Sequence, residues 1–558
     1  MRYFLLITAL FFSSATLAQD LGSLGSQNPV DFSGNINVNL SSYSTTRARA
    51  FRDPFLWTLS GSPTLSIYGV TLPFSFVISK RNEEFRQPFN QFGLSPYYKW
   101  LKLHVGFRSL SFSQYSLAGH VFNGVGLEAN PGNFRFGFMY GRLLQPISPD
   151  FVGSVPVQPT YLRNGTSVKI GYGTSSNYVD LILFKGWDDP GSIDRPRDSI
   201  YVNPKENLVF ALKTRQRLFN SLTFEADIGL SGWTDNLFAR GLSREDIPLS
   251  NVISSLFKIN YSTQFLKAIK TSLSYRLKRI NLRLQYRRID PEYKTMGAYF
   301  FNNDLENITI SPSWSMFKNK VRISGSVGWQ RNNLFENKIN QINRQINAVQ
   351  INYMANRQLS FSGSFTNFQI NQVRMDVIRR DVIDSLQLEQ FTNNLSLNAN
   401  YRFGNETNRY IINAMYSSQQ INQAEKNEFL GNNDARSISP SLSFRYNNKE
   451  SGWGFRINGN YNDFQNSSIS SQRYGLSLGP SKSFGEDLSL NASAAYFDTN
   501  LNGEKAGNTL RATLRGNYNL AKNHGFNFSG NFIRRNSNNE RVQSFSEFLA
   551  SINYTFTF

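Results

Sequence analysis

The chain ends in Phe548-Leu549-Ala550-Ser551-Ile552-Asn553-Tyr554-Thr555-Phe556-Thr557-Phe558, and this stretch decides the fold class. Phe548, Ala550, Ile552, Tyr554, Phe556 and Phe558 share one parity, and Ser551, Asn553, Thr555 and Thr557 share the other. Side chains of a strand alternate between its two faces, so one face is an aromatic and aliphatic row and the other a hydroxyl and amide row. A strand with lipid on one side and an aqueous lumen on the other needs that division.

The same division recurs upstream. Phe526, Phe528 and Phe532 oppose Asn527, Ser529 and Asn531, and Leu510, Ala512, Leu514 and Tyr518 oppose Arg511, Thr513, Arg515 and Asn517. Trp453, Phe455, Ile457 and Tyr461 oppose Arg456, Asn458 and Asn460; Leu395, Leu397, Tyr401 and Phe403 oppose Ser396, Asn398 and Arg402. Val321, Ile323, Val327 and Trp329 oppose Arg322, Ser324 and Ser326. One such strand also fits a soluble sandwich, propeller or solenoid. A dozen or more in series, each near the roughly 9–11 residues that cross a bilayer when tilted, predict a transmembrane antiparallel up-and-down β-barrel.

The connections give an independent test. Counting back from the C-terminus, short turns fall at residues 521–525, 484–487, 447–452, 404–408, 356–358, 317–320 and 278–279, and upstream at 218–221, 175–177 and 130–133. Longer polar loops lie between them, for example 421–437, 371–392, 290–307, 234–265, 188–205 and 144–164. Short periplasmic turns and long extracellular loops are what such a barrel carries. Residues 254–261 within the 234–265 loop read as a further strand, but barrel parity then requires them to stay in the loop. Residues 32–42, 55–67, 70–79 and 98–108 read as strands without cleanly alternating loops. The expected number is about 24 strands, within 22–26 and even.

The other end reads as an export signal. Arg2 precedes a short apolar run and the small residues Ser13-Ser14-Ala15-Thr16-Leu17-Ala18, which predicts cleavage after residue 18. No later stretch approaches the roughly 20 apolar residues of a membrane helix. The domains expected are a signal peptide over 1–18, a segment 19–54 that is either first strand or lumen plug, and a barrel over 55–558. There is no Cys, which excludes a lipoprotein or a disulfide scaffold. A mean hydropathy of −0.39 argues against a helical membrane protein but not a barrel, where only alternate residues touch lipid. Aromatic residues make up 14% of the chain, enough for girdles at two membrane interfaces.

The Ala18-Gln19 junction, the Asn-rich strands and the ending Tyr554-Thr555-Phe556-Thr557-Phe558 resemble large outer-membrane barrel proteins of Bacteroidota. Residues 59–69 and 286–293 are similar to stretches of a little-characterised barrel family from such bacteria. The resemblance implies placement in the outer membrane among lipid and lipopolysaccharide. It also implies that Tyr554, Phe556 and Phe558 are the signal read by the barrel-assembly machinery. It implies no activity.

Signals for catalysis are weak. His104, His120 and His524 are the only histidines, and no Cys or paired-His metal spacing exists, so neither enzyme activity nor a cofactor is expected. His120 among abundant serines is the only pointer to a lipase-like Ser–His pair. Gly124-Val125-Gly126 reads as a glycine kink in a strand, not a phosphate loop. Residues 299–307 offer two carboxylates, amides and aromatics for calcium or sugar, although the spacing matches no defined calcium loop.

The arginines say more. Parity assigns Arg135, Arg276, Arg283, Arg287, Arg322, Arg402, Arg445, Arg456, Arg511 and Arg515 to the lumen, against Glu128, Asp180, Glu225 and Asp227. A charge facing lipid costs about 2–4 kcal/mol at mid-membrane, which explains the inward direction but not the sign. The net charge of +20 carries the same excess. The expected function is a transport or translocation channel with an arginine-rich lumen, gated by its own loops or by a protein partner that fills it. The alternative is a structural anchor whose extracellular loops bind a protein or glycan. Nucleic acid is not an expected partner.

Overall fold

A computed structural model describes residues 29–80, 91–152, 155–157, 159–194, 202–242, 256–299, 302–338, 340–374, 388–425, 434–538 and 543–558. The signal segment and residues 19–28 lie outside these. Twenty-nine strand segments form one antiparallel sheet, and none of the described elements is a helix. Three barrel strands are each broken in two, so the sheet is a closed barrel of 26 strands. The first strand closes it against the last, with Asn35 opposite Thr557 and Thr45 opposite Glu547.

The breaks explain why the N-terminal pattern alternates poorly. The first strand is interrupted at Gly34 between Val30–Ser33 and Asn35–Thr45, and the second at Ser62-Pro63 between Phe55–Gly61 and Thr64–Ile67. The fourth is interrupted at Ser95-Pro96 between Gln91–Leu94 and Tyr97–Tyr98. Proline has no N–H to donate to a ladder, and its ring demands a bend. Gly34 lies directly against Pro63, where an added Cβ would be 2.6 Å from the proline Cα. The structure therefore places Val30–Thr45 in the wall, where the sequence left residues 19–54 open between strand and plug. Twenty-six strands is two more than the central expectation, because every N-terminal segment joins the barrel.

Two other features depart from the sequence pattern. Many strands exceed eleven residues: Leu359–Arg374, Leu388–Gly404 and Asn408–Glu425 have 16, 17 and 18. At about 3.4 Å per residue they extend beyond the hydrocarbon layer toward the extracellular loops. Moreover, the extracellular turns after Trp453–Asn466 and Leu488–Leu501 are as tight as periplasmic ones. Residues 256–261 form no barrel strand; their bridge, Gly241 to Asn260, lies within the loop, and Lys258 ties them to the wall, its amide donating to Glu206 and its carbonyl accepting from Thr234, each at 2.8 Å.

The outward face carries Phe138, Leu181, Leu230, Leu284, Leu442 and Ile552, all exposed in the isolated chain as lipid-facing residues must be. Near the periplasmic turns the same face holds an aromatic girdle. Tyr401, Phe403 and Tyr410 stack at 5.2 and 5.0 Å, and Phe526 meets Tyr554 at 4.8 Å. His524 joins the girdle, its Nδ1 2.8 Å from the Tyr554 hydroxyl.

The C-terminal residue is also a closure element. Phe558 exchanges two main-chain hydrogen bonds with Gly34, at 2.9 and 3.1 Å, and its ring stacks on Phe32 at 4.4 Å. Deleting Phe558 is expected to lower the amount of folded barrel in the outer membrane sharply. Heat-modifiable migration on a denaturing gel reads this, and an unchanged folded fraction would contradict it.

Candidate functional site

The inner face differs between the two halves of the barrel. From Leu101–Ser111 to Leu305–Met316 it carries two apolar clusters. One comprises Leu110, Phe112, Leu117, Phe122, Met139, Leu143, Ile182, Phe184, Val209, Ala211, Trp233 and Met296. The other comprises Tyr115, Leu266, Ala268, Ile289, Tyr293 and Leu305. Apolar side chains on a lumen wall are buried only when something covers them, and two extracellular connections do so, through residues 112–117 and 290–299.

Residues 112–117 descend from the extracellular end onto the wall. Ser113 Oγ donates to Asp227 Oδ1 at 2.5 Å, and the Lys213 ammonium donates to the Phe112 carbonyl at 3.3 Å. Residues 290–299 lie over them. Tyr293 donates to the Tyr115 carbonyl at 2.6 Å, Thr295 to that of Ser116 at 2.9 Å, and the Ala118 amide to that of Gly297 at 2.8 Å. Asn207 ties this layer to the wall, accepting from the Met296 amide at 3.0 Å and donating to Ser231 at 2.8 Å. Burial pushes the phenols of Tyr115 and Tyr293 well above their ordinary range, and the Asp227 charge adds to it.

Glycines on the wall make room for this layer. A Cβ at Gly229 would lie 2.6 Å from both the Tyr115 Cβ and the Tyr293 hydroxyl, and one at Gly186 would lie 2.8 Å from Met296. Gly124 is part of a row in which Gly93, Gly106, Gly124, Gly141, Gly165 and Gly186 oppose one another across six strands. A side chain at Gly124 would collide with the Tyr140 carbonyl, so close backbone approach accounts for this glycine.

In this half most of the inner charges are compensated, although Arg276 and Arg287 form no ion pair among the described residues. Arg135 binds Asp180, which is 2% exposed, through Nε and Nη2 at 2.7 and 3.0 Å. Asp180, Lys213, Asp227, Lys270 and Arg287 then oppose one another on consecutive strands, alternating in sign up to the last pair. Glu225 takes Arg215 at 3.3 Å and Arg283 at 3.6 Å, and Glu128 takes His104 at 3.1 Å. Arg135→Ala would strand a buried carboxylate, costing about 3–5 kcal/mol by analogy with other broken buried pairs. A lowered unfolding midpoint in detergent is the expected reading, and Arg135→Lys should restore part of it.

In the other half, from Asn340–Met354 to the C-terminus, no described side chain is fully buried, and the inner face is mostly Asn, Gln, Ser, Thr and Arg, with scattered apolar residues such as Ile411, Ala495 and Ile533. Arg402 lies opposite Ile411, Ile411 opposite Arg445, and Arg445 directly opposite Arg456. Arg515 lies between Asn491 and Ser529, and Arg511 between Ala495 and Ile533. Arg322, on the neighbouring wall, faces Ser315 and Asn352, and Arg276 faces Asn281. Among the described residues none of these seven arginines forms an ion pair. The sequence reasoning overlooked Lys213, Arg215, Lys270, Arg473 and Arg535 on the same inner parity, although Lys213-Thr214-Arg215 alternates visibly.

The histidines and the 299–307 loop have structural surroundings. His120 is 2.7 Å from the Val121 carbonyl and stacks on Tyr299 at 4.1 Å. His104 has Ser95 Oγ at 3.0 Å and Glu128 at 3.1 Å, a relay-like trio the sequence did not show, in which Ser95 is 7% exposed. Asp304 holds Lys338 and the Leu334 amide, and Glu306 holds Tyr286 at 2.8 Å and Arg331 at 2.6 Å. Both carboxylates in that loop are therefore committed to protein donors.

No family model matches the chain, and no curated protein matches it in sequence. Among solved structures the chain is similar to the copper transporter OprC, at 10% identity over 94% of this chain and 80% of that one, with a TM-score of 0.37. It is also similar to Pseudomonas aeruginosa OccK8 (OprE), at 10% identity over 71% and 98% (TM-score 0.30). A third is Acinetobacter baumannii OccAB2, at 10% identity over 64% and 93% (TM-score 0.31). The likeness is one of barrel architecture.

Proposed function

We propose that the chain is an outer-membrane conduit for anionic solutes, narrowed by two of its own extracellular connections. The supporting observation is the unequal lumen. One wall is covered by residues 112–117 and 290–299 and largely balanced in charge; the facing wall is mostly polar, uncovered by described residues, and carries guanidinium groups without acidic partners. Fixed cations on a water-lined wall give it a positive potential and raise the local concentration of anions. The covering layer supplies what a 26-stranded barrel otherwise lacks, a reduction of an opening wider than that of 16–18-stranded porins.

Osmotic swelling of proteoliposomes tests this. Glutamate should enter faster than lysine, which has similar size and opposite charge. Equal rates, or faster lysine entry, would overturn the reading.

A further inference from the structure

Near the extracellular end of the uncovered wall, three arginines from three of four consecutive strands share one cavity. Arg473 lies on Ser470–Phe484, Arg511 on Glu504–Ala521 and Arg535 on His524–Ser537. All three are on the inner parity: Arg473 opposes Thr499, Arg535 opposes Thr509, and Arg511 opposes Ile533. They line a cavity of about 470 Å³ together with the hydroxyls of Ser471, Thr499 and Thr509 and the amide of Asn462.

One carboxylate lies there, and it is already held. Glu547 takes the Arg47 guanidinium at 2.6 Å and the Tyr43 hydroxyl at 2.9 Å. Arg473, Arg511 and Arg535 form no ion pair among the described residues. Arg473 is laid across the Phe497 ring, its guanidinium carbon 4.2 Å from the centroid, and its Nε is buried without a hydrogen-bond partner. Three like charges gathered in one recess repel one another unless an anion sits among them.

We propose that Arg473, Arg511 and Arg535 form a binding site for a phosphate group, carried free or on a small soluble solute. Guanidinium forks match the oxygens of phosphate in pairs, and the surrounding hydroxyls supply further donors for the oxygens left over. A divalent oxyanion compensates three clustered cations better than chloride or a single carboxylate does. The proposal rests on the conduit reading for the ligand's passage, but not for its binding.

Titration calorimetry on the refolded full chain in detergent, with inorganic phosphate and separately with a sugar monophosphate at fixed ionic strength, tests it. Wild type should bind at least one of the two, and Arg473→Gln and Arg511→Gln should each weaken binding roughly tenfold or more, as loss of a charge-assisted hydrogen bond does. Lys449→Gln, in a periplasmic turn, should bind as wild type does. Binding of only the ester would assign the site to phosphorylated solutes, and binding of both to the bare group. No binding of either, or equal binding by the arginine variants, would overturn the site even if the protein conducts anions. Binding without any anion passage would leave the site standing and overturn the conduit.

Discussion

Replacing residues 291–303 with a short glycine-serine linker is expected to raise single-channel conductance severalfold. This segment places Tyr293, Thr295 and Met296 over residues 112–117 and against Asn207, and its removal takes away the upper of the two layers that narrow the lumen. The barrel should survive, because all 26 strands remain joined by main-chain ladders independent of the loop. Some stability will be lost. Ile289, Leu305 and Phe184 become wet, at about 25 cal/mol for each Å² of apolar surface re-exposed. A deletion protein that folds, shown by heat-modifiable migration, and yet conducts as wild type would mean that this layer does not limit the pore.

The second large effect concerns selectivity. Changing Arg402, Arg445, Arg456, Arg511 and Arg515 together to Gln should abolish the preference for anions with little change in total conductance. Glutamine keeps a similar polar length without the charge. None of the five forms an ion pair among the described residues, so their removal strands no carboxylate there. The same exchange at Arg135 and Arg283 should chiefly lower stability, because it strips Asp180 of its guanidinium and Glu225 of one of its two, and with two charges changed instead of five it should move selectivity less. Bi-ionic potentials of the two variants, measured side by side, check both halves of the statement.

Parity made the wall legible. A period of two needs only local sequence, and the C-terminal alternation of Phe548 through Phe558 reappears as an outer row with Ile552 opposite Leu40 and Phe528. The N-terminal strands were harder, because Gly34, Pro63 and Pro96 break them and the alternation restarts after each break. What sequence did not show was the inward layer and the charge balance. Ser113 meets Asp227 across 114 residues and Tyr293 meets Tyr115 across 178, contacts that no local pattern encodes. Counting lumen arginines against lumen acids gives an expected excess of positive charge, but no positions in space. It did not show that the four acids lie on one wall, where they neutralise Arg135, Arg215 and Arg283 and leave the facing wall basic.

The most direct test of the account is the reversal potential of wild-type protein in a planar bilayer under a potassium chloride gradient. An anion-biased conduit lined by unpaired arginines predicts a reversal potential displaced toward that of chloride. A displacement toward the potassium potential, or no current from either wild type or the protein lacking residues 291–303, would contradict it.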